Sequence, residues 1–210
     1  MVKRIQKVTK SRITKKRKNI IVVGTEGKNN KTEENYLRNL ERTQQKYHFI
    51  FASGNETDPV KIVRNTIKKA KAEELSYKDG DLAVSIFDLD LDWSKEQQLS
   101  HAKELAALNN IVLITSNPCF EIWYLEHFRY TSKPFSSNAE LIKELKKYLQ
   151  DYEKRQTDFA ALYPLTEVAI NNCECLDNYQ KSNNSQAIME FCNPRTDVYK
   201  LVRMILKNNE

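Results

Sequence analysis

The sequence lacks any long apolar run. No stretch approaches the ~20 apolar residues that a membrane-spanning helix requires. The basic start, MVKRIQKVTKSR, has no apolar segment behind it, so it does not form the pattern of a secretory signal. We therefore expect a cytoplasmic chain with no membrane partner. Its 210 residues, 40% of them hydrophobic, are enough for one domain with its own core.

Two common kinds of site are also missing. Four cysteines are present, and we expect them to be reduced thiols; Cys173 and Cys175 lack the two-residue spacer of zinc and thioredoxin motifs, so we expect no metal site at this pair. No segment matches the phosphate-binding pattern G-x-x-x-x-G-K-[ST]. Any ATP-driven step would therefore have to come from another protein.

Glycine is scarce. The sequence has four glycines, whereas the average usage of ~7% would give about fifteen. Gly24 and Gly27 flank Glu26, and Gly54 and Gly80 border the strands predicted next along the chain. The scarcity draws attention to the turn that carries Glu26.

Positive charge is concentrated at one end. The formal net charge is +6, but residues 1–18 hold nine basic residues and no acidic one, which leaves 25 basic and 28 acidic residues in the body. We expect residues 1–18 to form a flexible basic arm. Lys15, Lys16, Arg17 and Lys18 are its candidates for contacts with nucleic-acid phosphates, and these contacts should be independent of sequence because the arm has no aromatic residue. The alternative is a solvated tail.

The body predicts an α/β fold, a small parallel sheet flanked by helices. Continuous apolar runs alternate with amphipathic segments four times, as in a parallel sheet covered on both faces. The predicted strands are residues 19–23, 47–52, 82–87 and 111–115. Helix starts are indicated by Thr32, by Asp58 before Pro59, and by Ser94 with Gln97 as a capping box.

After residue 117 the sequence predicts helices and no further strand. The helical segments are about 118–128, 138–156, 164–178 and a last one that starts near residue 193. We therefore divide the chain into a basic arm (1–18), an α/β core (19–117) and a helical C-terminal part (118–210) packed on the same domain.

Acidic residues follow the first and third predicted strands. Glu26 comes after the first, and Asp88, Asp90 and Asp92 come after the third. Ligands of open parallel sheets bind beyond the carboxyl ends of the strands, and alternate residues of an extended segment face one side. Clustered carboxylates favour Mg²⁺ or Mn²⁺, which can activate water and stabilise a phosphoryl transition state. The alternative is that these acids cap helices or face water.

The order of these motifs resembles two related groups of proteins. A strand followed by Glu-Gly, and a later strand followed by Asp-x-Asp, is similar to the Toprim domain of primases, topoisomerases and nucleases of the OLD type. RloB-like proteins, relatives of the second component of the AbiL abortive-infection system, resemble the chain over nearly its whole length. The segments that carry this resemblance are KNIIVVGTEG (18–27), TEENY (32–36), Gly54, Asp58 with Pro59, FDLD (87–90), NPCFEIWYLEHF (117–128) and NPRTDV (193–198).

The resemblance implies roles for the acidic residues. Glu26 would act as general base or metal ligand, and Asp88 and Asp90 would hold Mg²⁺ or Mn²⁺. No role is carried over to Thr32 or Glu33, because the loop before them is longer than the compact E-G-x-x-T-E of the family.

Four further residues are candidates with open alternatives. Asp92 either helps to bind the metal or serves the approach to the next helix. Glu121 lies one helical turn past Asn117 and either binds the metal or is a buried acid paired with backbone amides or a basic residue. Asn117 either orients a carboxylate or phosphate or caps the following helix. His127 is either a base or a partly buried structural residue.

The leading functional hypothesis is a Mg²⁺-dependent Toprim nuclease. It would cleave phosphodiester bonds in DNA or RNA in a bacterial anti-phage system, and the resemblance implies control by a partner ATPase. The alternatives are a non-catalytic module that binds metal, nucleic acid or a partner, and another phosphoryl-transfer enzyme such as a nucleotidyltransferase.

Overall fold

Five strands form one sheet in the part of the chain that the computed structural model describes, residues 17–27, 32–52, 54–153, 159–183 and 188–207. The strands are β1 (Asn19–Thr25), β2 (Tyr47–Phe51), β3 (Leu82–Asp88), β4 (Ile111–Asn117) and β5 (Arg195–Thr196). They lie in the order β2-β1-β3-β4-β5, and the first four are parallel. Helices cover the sheet, so the predicted α/β class is confirmed.

The helices connect these strands and extend beyond them. They are α1 (Thr32–Arg42), α2 (Pro59–Ala72), α3 (Glu96–Leu108), α4 (Glu121–Phe128), α5 (Asn138–Leu145), α6 (Phe159–Leu162), α7 (Thr166–Asn183) and α8 (Val198–Lys207). No helix in the described ranges has the length and apolar character needed to span a bilayer.

Alternation along the strands divides the core between the two faces of the sheet. In β1, Ile21 and Val23 pack in a large core with residues of α1, α4, α7 and α8, while Val22 packs in a second core with residues of α2 and α3. A strand buried on both faces has to be apolar throughout, which is why the sequence shows continuous runs here.

The close approach of α2 to β1 explains one glycine. A Cβ at Gly24 would clash with the hydroxyl of Thr66 and lie 3.3 Å from the backbone oxygen of Ile62. Thr66 in turn contacts the hydroxyl of Ser85 in β3 at 2.8 Å. Only a residue without a side chain lets α2 pack this closely at the end of β1.

Strand β5 corrects the prediction that no strand follows residue 117. Asn117 and Ser116 of β4 pair with Arg195 and Thr196 in antiparallel orientation, and the hydroxyls of Ser116 and Thr196 lie 2.9 Å apart. A strand of two polar residues has no apolar run to reveal it, so only its pairing with β4 defines it.

Several helix boundaries also differ from the predictions: α7 ends at Asn183 rather than near residue 178, and α8 begins at Val198 rather than near residue 193. Asp92, not Ser94, is the cap: its carboxylate accepts a hydrogen bond from the Ser94 amide at 2.9 Å and begins a 3₁₀ turn (Trp93–Lys95) ahead of α3. Helix α5 ends at Leu145 rather than near residue 156, and turns follow it. Helix α4 begins at Glu121 rather than at Pro118.

Candidate functional site

The carboxyl ends of β1 and β3 meet at the point where the strand order reverses. Helix α1 leaves β1 toward one face of the sheet and α2 packs on the other, so a crevice opens between the loops that follow β1 and β3. Glu26 stands at the end of β1, and its Oε1 accepts a hydrogen bond from the backbone amide of Asp88 at 3.2 Å. Adjacent parallel strands thus bring together two acids that lie 62 residues apart.

Glu121 reaches the same place from the first turn of α4. Its side chain is buried, with 1% of its surface exposed. Its Oε1 accepts a hydrogen bond from the Tyr152 hydroxyl at 2.7 Å and from the Thr32 hydroxyl at 3.3 Å. Two neutral donors therefore orient the carboxylate without neutralising its charge.

Asp88, Cys119 and Glu121 form a group with the spacing of metal ligands. One ligand atom from each, a carboxylate oxygen or the sulfur, lies within 4.8 Å of the other two. The Oδ1 atom of Asp88 is buried and has no hydrogen-bond partner in the described structure. Two carboxylates and one thiol fit a divalent cation, and the thiol makes the set softer than an all-oxygen site.

The electrostatics of this group are unfavourable for negative charge. Burial raises the pKa of Asp88 well above its usual value, and the nearby charges of Glu33, Glu121, Glu26 and Asp90 raise it further. Burial, with Glu121 and Asp88 close by, also raises the pKa of the Cys119 thiol. The neighbouring acids thus make ionisation of Asp88 harder, an effect that a bound cation would reverse.

Asp90 is close to this group but directed elsewhere. The extended segment ends at Asp88, and Asp90 and Leu91 adopt positive φ angles of 53° and 59°. Both carboxylate oxygens of Asp90 are engaged, one with Lys95 Nζ at 2.7 Å and the other with Asn138 Nδ2 at 2.8 Å. The expected alternation of Asp88, Asp90 and Asp92 is therefore wrong, because the chain turns after Asp88.

Asn117 joins three backbone segments. Its Oδ1 accepts from the amide of Leu91 at 3.1 Å, and its Nδ2 donates to the oxygens of Phe191 at 2.9 Å and Cys192 at 3.3 Å. It does not cap α4, whose first residue is Glu121 and which shows no side-chain cap. The buried amide instead holds the loop after β3 against the segment before β5.

His127 is enclosed in the core near the other end of α4. Its Nδ1 donates to the Trp123 carbonyl at 2.8 Å, and its ring meets the Trp123 ring edge-on at 4.6 Å. Burial lowers the pKa of His127 to about 4. The neighbouring Glu126 is buried as well, and burial raises its pKa to about 8. These two groups lie a helical turn or more beyond Glu121 and belong to the packing of α4.

The order of these motifs along the chain agrees with that of a known protein family. The family model of RloB-like proteins matches residues 21–205. This chain belongs to the RloB-like protein family. No curated protein and no solved structure matches it.

Four residues of this RloB-like protein join the site without having been predicted to do so. Glu33 adds negative charge next to Asp88, and Thr32 and Tyr152 hold Glu121. Cys119, which the sequence suggests as core, contributes a possible ligand. The sequence signal for Glu33 and Thr32 is the TEENY segment (32–36). No role was assigned to these two residues because the loop before them is long.

The basic arm joins the sheet at the opposite edge. Lys15 and Lys16 lie outside the described residues. Lys18 is exposed, and Arg17 pairs with Asp81 at 3.0 Å, directly before β3. The acids follow the carboxyl ends of β1 and β3, whereas Arg17 stands at their amino ends, so any role of the arm at this site depends on residues 1–16.

Proposed function

We propose that this protein is a divalent-cation-dependent nuclease whose site is formed by Glu26, Asp88 and Glu121, with Cys119 beside them. The observation that carries the proposal is the buried, unpartnered Oδ1 of Asp88 in a group of ligand atoms within 4.8 Å of one another. Mg²⁺ or Mn²⁺ bound there would supply charge for a phosphoryl transition state and lower the pKa of a bound water. Mn²⁺ tolerates the thiol better than Mg²⁺ does.

In the proposed reaction, different residues of the chain bind the cation, position its ligands and accept a proton. Asp88 and Glu121 hold the cation, and the donors Thr32 and Tyr152 keep Glu121 in place. Glu26 stands beside Asp88 and is the candidate to accept a proton from water. Lys95, which contacts the backbone oxygen of Asp88 at 2.9 Å and the carboxylate of Asp90, is positioned at the rim to attract a phosphate.

The wider setting of the proposal rests on the family and on the resemblance to Toprim nucleases. We infer an effector of a bacterial anti-phage system that cuts DNA or RNA, with Mg²⁺ or Mn²⁺ as cofactor and a partner ATPase that controls it. Asp90 stays a predicted catalytic residue and metal ligand and Asp92 a predicted helper in metal binding, and Asn117 and His127 stay predicted supporting residues. The competing proposal is a module that binds a cation and nucleic acid without cleavage.

The test compares two buried glutamates on one helix. Full-length protein is incubated with Mn²⁺ or Mg²⁺ and with single-stranded and duplex DNA and RNA. Each reaction is run without and with the proposed partner ATPase. We expect Asp88→Asn and Glu121→Gln to reduce cleavage at least about 100-fold, beyond the 10–100-fold that loss of an outer-shell partner costs. Glu126→Gln, a matched change one turn along α4, should leave cleavage within a few fold.

A separate measurement distinguishes the competing proposal. Mn²⁺ binding is followed by electron paramagnetic resonance without nucleic acid. Binding that depends on Asp88, with no cleavage of any substrate, would favour the non-catalytic module. Cleavage that persists in both Asp88→Asn and Glu121→Gln would show that the site lies elsewhere.

A further inference from the structure

A cavity of about 290 Å³ lies beside the acidic site and has no charged residue in its lining. It is formed by the 3₁₀ turn after β3, the segment before α5, the end of α7 and the segment before β5. The aromatic and polar side chains that matter most are Trp93, Phe191, Tyr179, Gln180, Ser132 and Asn193. Its volume is just below the ~300–1,000 Å³ of pockets for drug-sized ligands, which suits one ring system.

Trp93 and Phe191 both line this cavity. Their rings stack on each other, with ring centroids 4.5 Å apart and planes 15° from parallel. Phe191 is buried, so its ring gives the indole a fixed support, and 56% of the Trp93 surface remains exposed. An exposed indole on a rigid aromatic support is the arrangement used for stacking a planar ligand.

One turn of the chain connects the cavity with the acidic site. Trp93 and Lys95 belong to the same 3₁₀ turn, and Lys95 Nζ bonds to Asp88 and Asp90. Asn117 ties the loop after β3 to the backbone of Phe191. A ligand on Trp93 therefore lies along the same edge of the sheet as Asp88.

We propose that Trp93 is a stacking platform for an unpaired nucleobase, so that the substrate is a single-stranded or locally unpaired nucleic acid. This inference rests on the proposed nuclease function and specifies its substrate class. A base is planar and uncharged, as the lining requires, and its own phosphate would extend toward the acidic edge. Paired bases are already stacked on their neighbours, so a regular duplex offers no free face to the indole.

The test measures binding of the full-length protein in EDTA, where no cleavage takes place. The probes are ten-nucleotide oligouridylate and oligodeoxythymidylate, a ten-base-pair duplex, and an abasic ten-mer that keeps the phosphates and lacks the bases. Of the two tryptophans, Trp123 is fully buried. Quenching of tryptophan fluorescence by a stacked base should therefore come from Trp93.

We expect the two single-stranded probes to quench the Trp93 fluorescence strongly. The duplex and abasic probes should quench it only weakly. Stacking contributes ~1–3 kcal/mol per base, so Trp93→Ala should weaken single-strand binding about 5- to 150-fold. Trp93→Phe should keep part of the affinity. Affinity for the abasic probe should not change, because any phosphate contacts of the basic arm remain. Tyr77→Ala, an exposed aromatic that precedes β3 at the other edge of the sheet, is the control and should bind as the unaltered protein does.

Single-strand affinity that is equal in Trp93→Ala and in the unaltered protein would overturn the platform, even if the protein cleaves. Equal affinity for the abasic and normal single strands would overturn it too. Conversely, Trp93-dependent binding in a protein that cleaves nothing would support the platform and count against the nuclease.

Discussion

Two groups of buried or half-buried acids in the described part of the chain differ in charge balance. The acidic cluster consists of Glu26, Glu33, Asp88 and Glu121 at the carboxyl ends of β1 and β3. The arginine cluster consists of Asp177, Arg195, Asp197 and Lys200, at β5 and the helices around it. In the second group, Arg195 contacts Asp197 through two bonds of 2.8 and 2.7 Å and Asp177 at 3.2 Å, and Lys200 contacts both acids.

The two clusters shift the pKa of an aspartate in opposite directions. Burial works to raise the pKa of Asp197, but the charge and hydrogen bonds of Arg195 and Lys200 outweigh it and lower the pKa. At Asp88, burial and neighbouring acids act together and raise the pKa. The balanced cluster supplies its own counter-charges, whereas under the proposed function a cation from solution would complete the acidic cluster. The proposal thus distinguishes an ion network that serves the fold from one that would serve function.

The largest effect on stability is expected from Arg195→Leu. The substitution leaves the buried Asp177 and Asp197 with only the more exposed Lys200 and, at 4.0 Å from Asp177, Lys181 to balance them, and breaking a buried pair costs about 3–5 kcal/mol. Urea unfolding at pH 7 measures the change. Arg129→Leu, which removes an exposed ion pair with Glu144, is the control and should cost at most about 1 kcal/mol. Similar costs for both variants would show that the arginine cluster is not a structural network.

A smaller effect is expected from Asp197→Asn, and it should depend on pH. Loss of charged hydrogen bonds to Arg195 should cost about 1.5–3 kcal/mol at pH 7. Because the pKa of Asp197 is lowered in the folded protein, its contribution is present above the ordinary value of 3.8 and is lost as the pH falls through the lowered value. The difference between variant and parent should therefore shrink when unfolding is measured below about pH 4. A difference that stays constant down to pH 2.5 would mean that this ion pair does not stabilise the fold.

The smallest effect, opposite in sign, is expected from Asp88→Asn. Without a divalent cation, removing one charge from the acidic cluster should raise the free energy of unfolding by about 0.5–2 kcal/mol, the range in which functional sites yield stability when altered. Thermal unfolding in EDTA measures this gain. Added Mn²⁺ should raise the melting temperature of the parent and not that of the variant. If Asp88→Asn destabilised the cation-free protein, the acidic cluster would stabilise the fold as the arginine cluster does, and the contrast between them would be wrong.

Regular periodicity made much of the fold predictable. β1 and β3 are apolar throughout because both their faces are buried, and parallel strands place their carboxyl ends side by side, so the proximity of Glu26 and Asp88 follows from the pattern. The approach of Glu121 follows from its position one turn beyond β4. Local turns limit the prediction: Asp90 and Leu91 adopt positive φ, which no periodicity reveals, and this turns Asp90 toward Lys95 and Asn138.

Contacts between distant segments account for the rest. Tyr152 donates to Glu121 from 31 residues away, and Thr32 does so from 89 residues away. Thr32 lies in the TEENY segment, but nothing in that segment shows that its hydroxyl reaches Glu121, and Tyr152 has no neighbour in sequence that marks it as part of a site. The stack of Trp93 on Phe191 and the pairing of β5 with β4 likewise join segments that carry no local signal for each other.

The parallel sheet, its covering helices, the family and the acids at the ends of two strands are predictable from the chain alone, because periodicity and motifs are local properties. Which acids face one another, and which have a basic partner, depends on how the elements pack. Charge balance depends on distances between segments far apart in sequence, and these distances exist only once the sheet and helices have packed together.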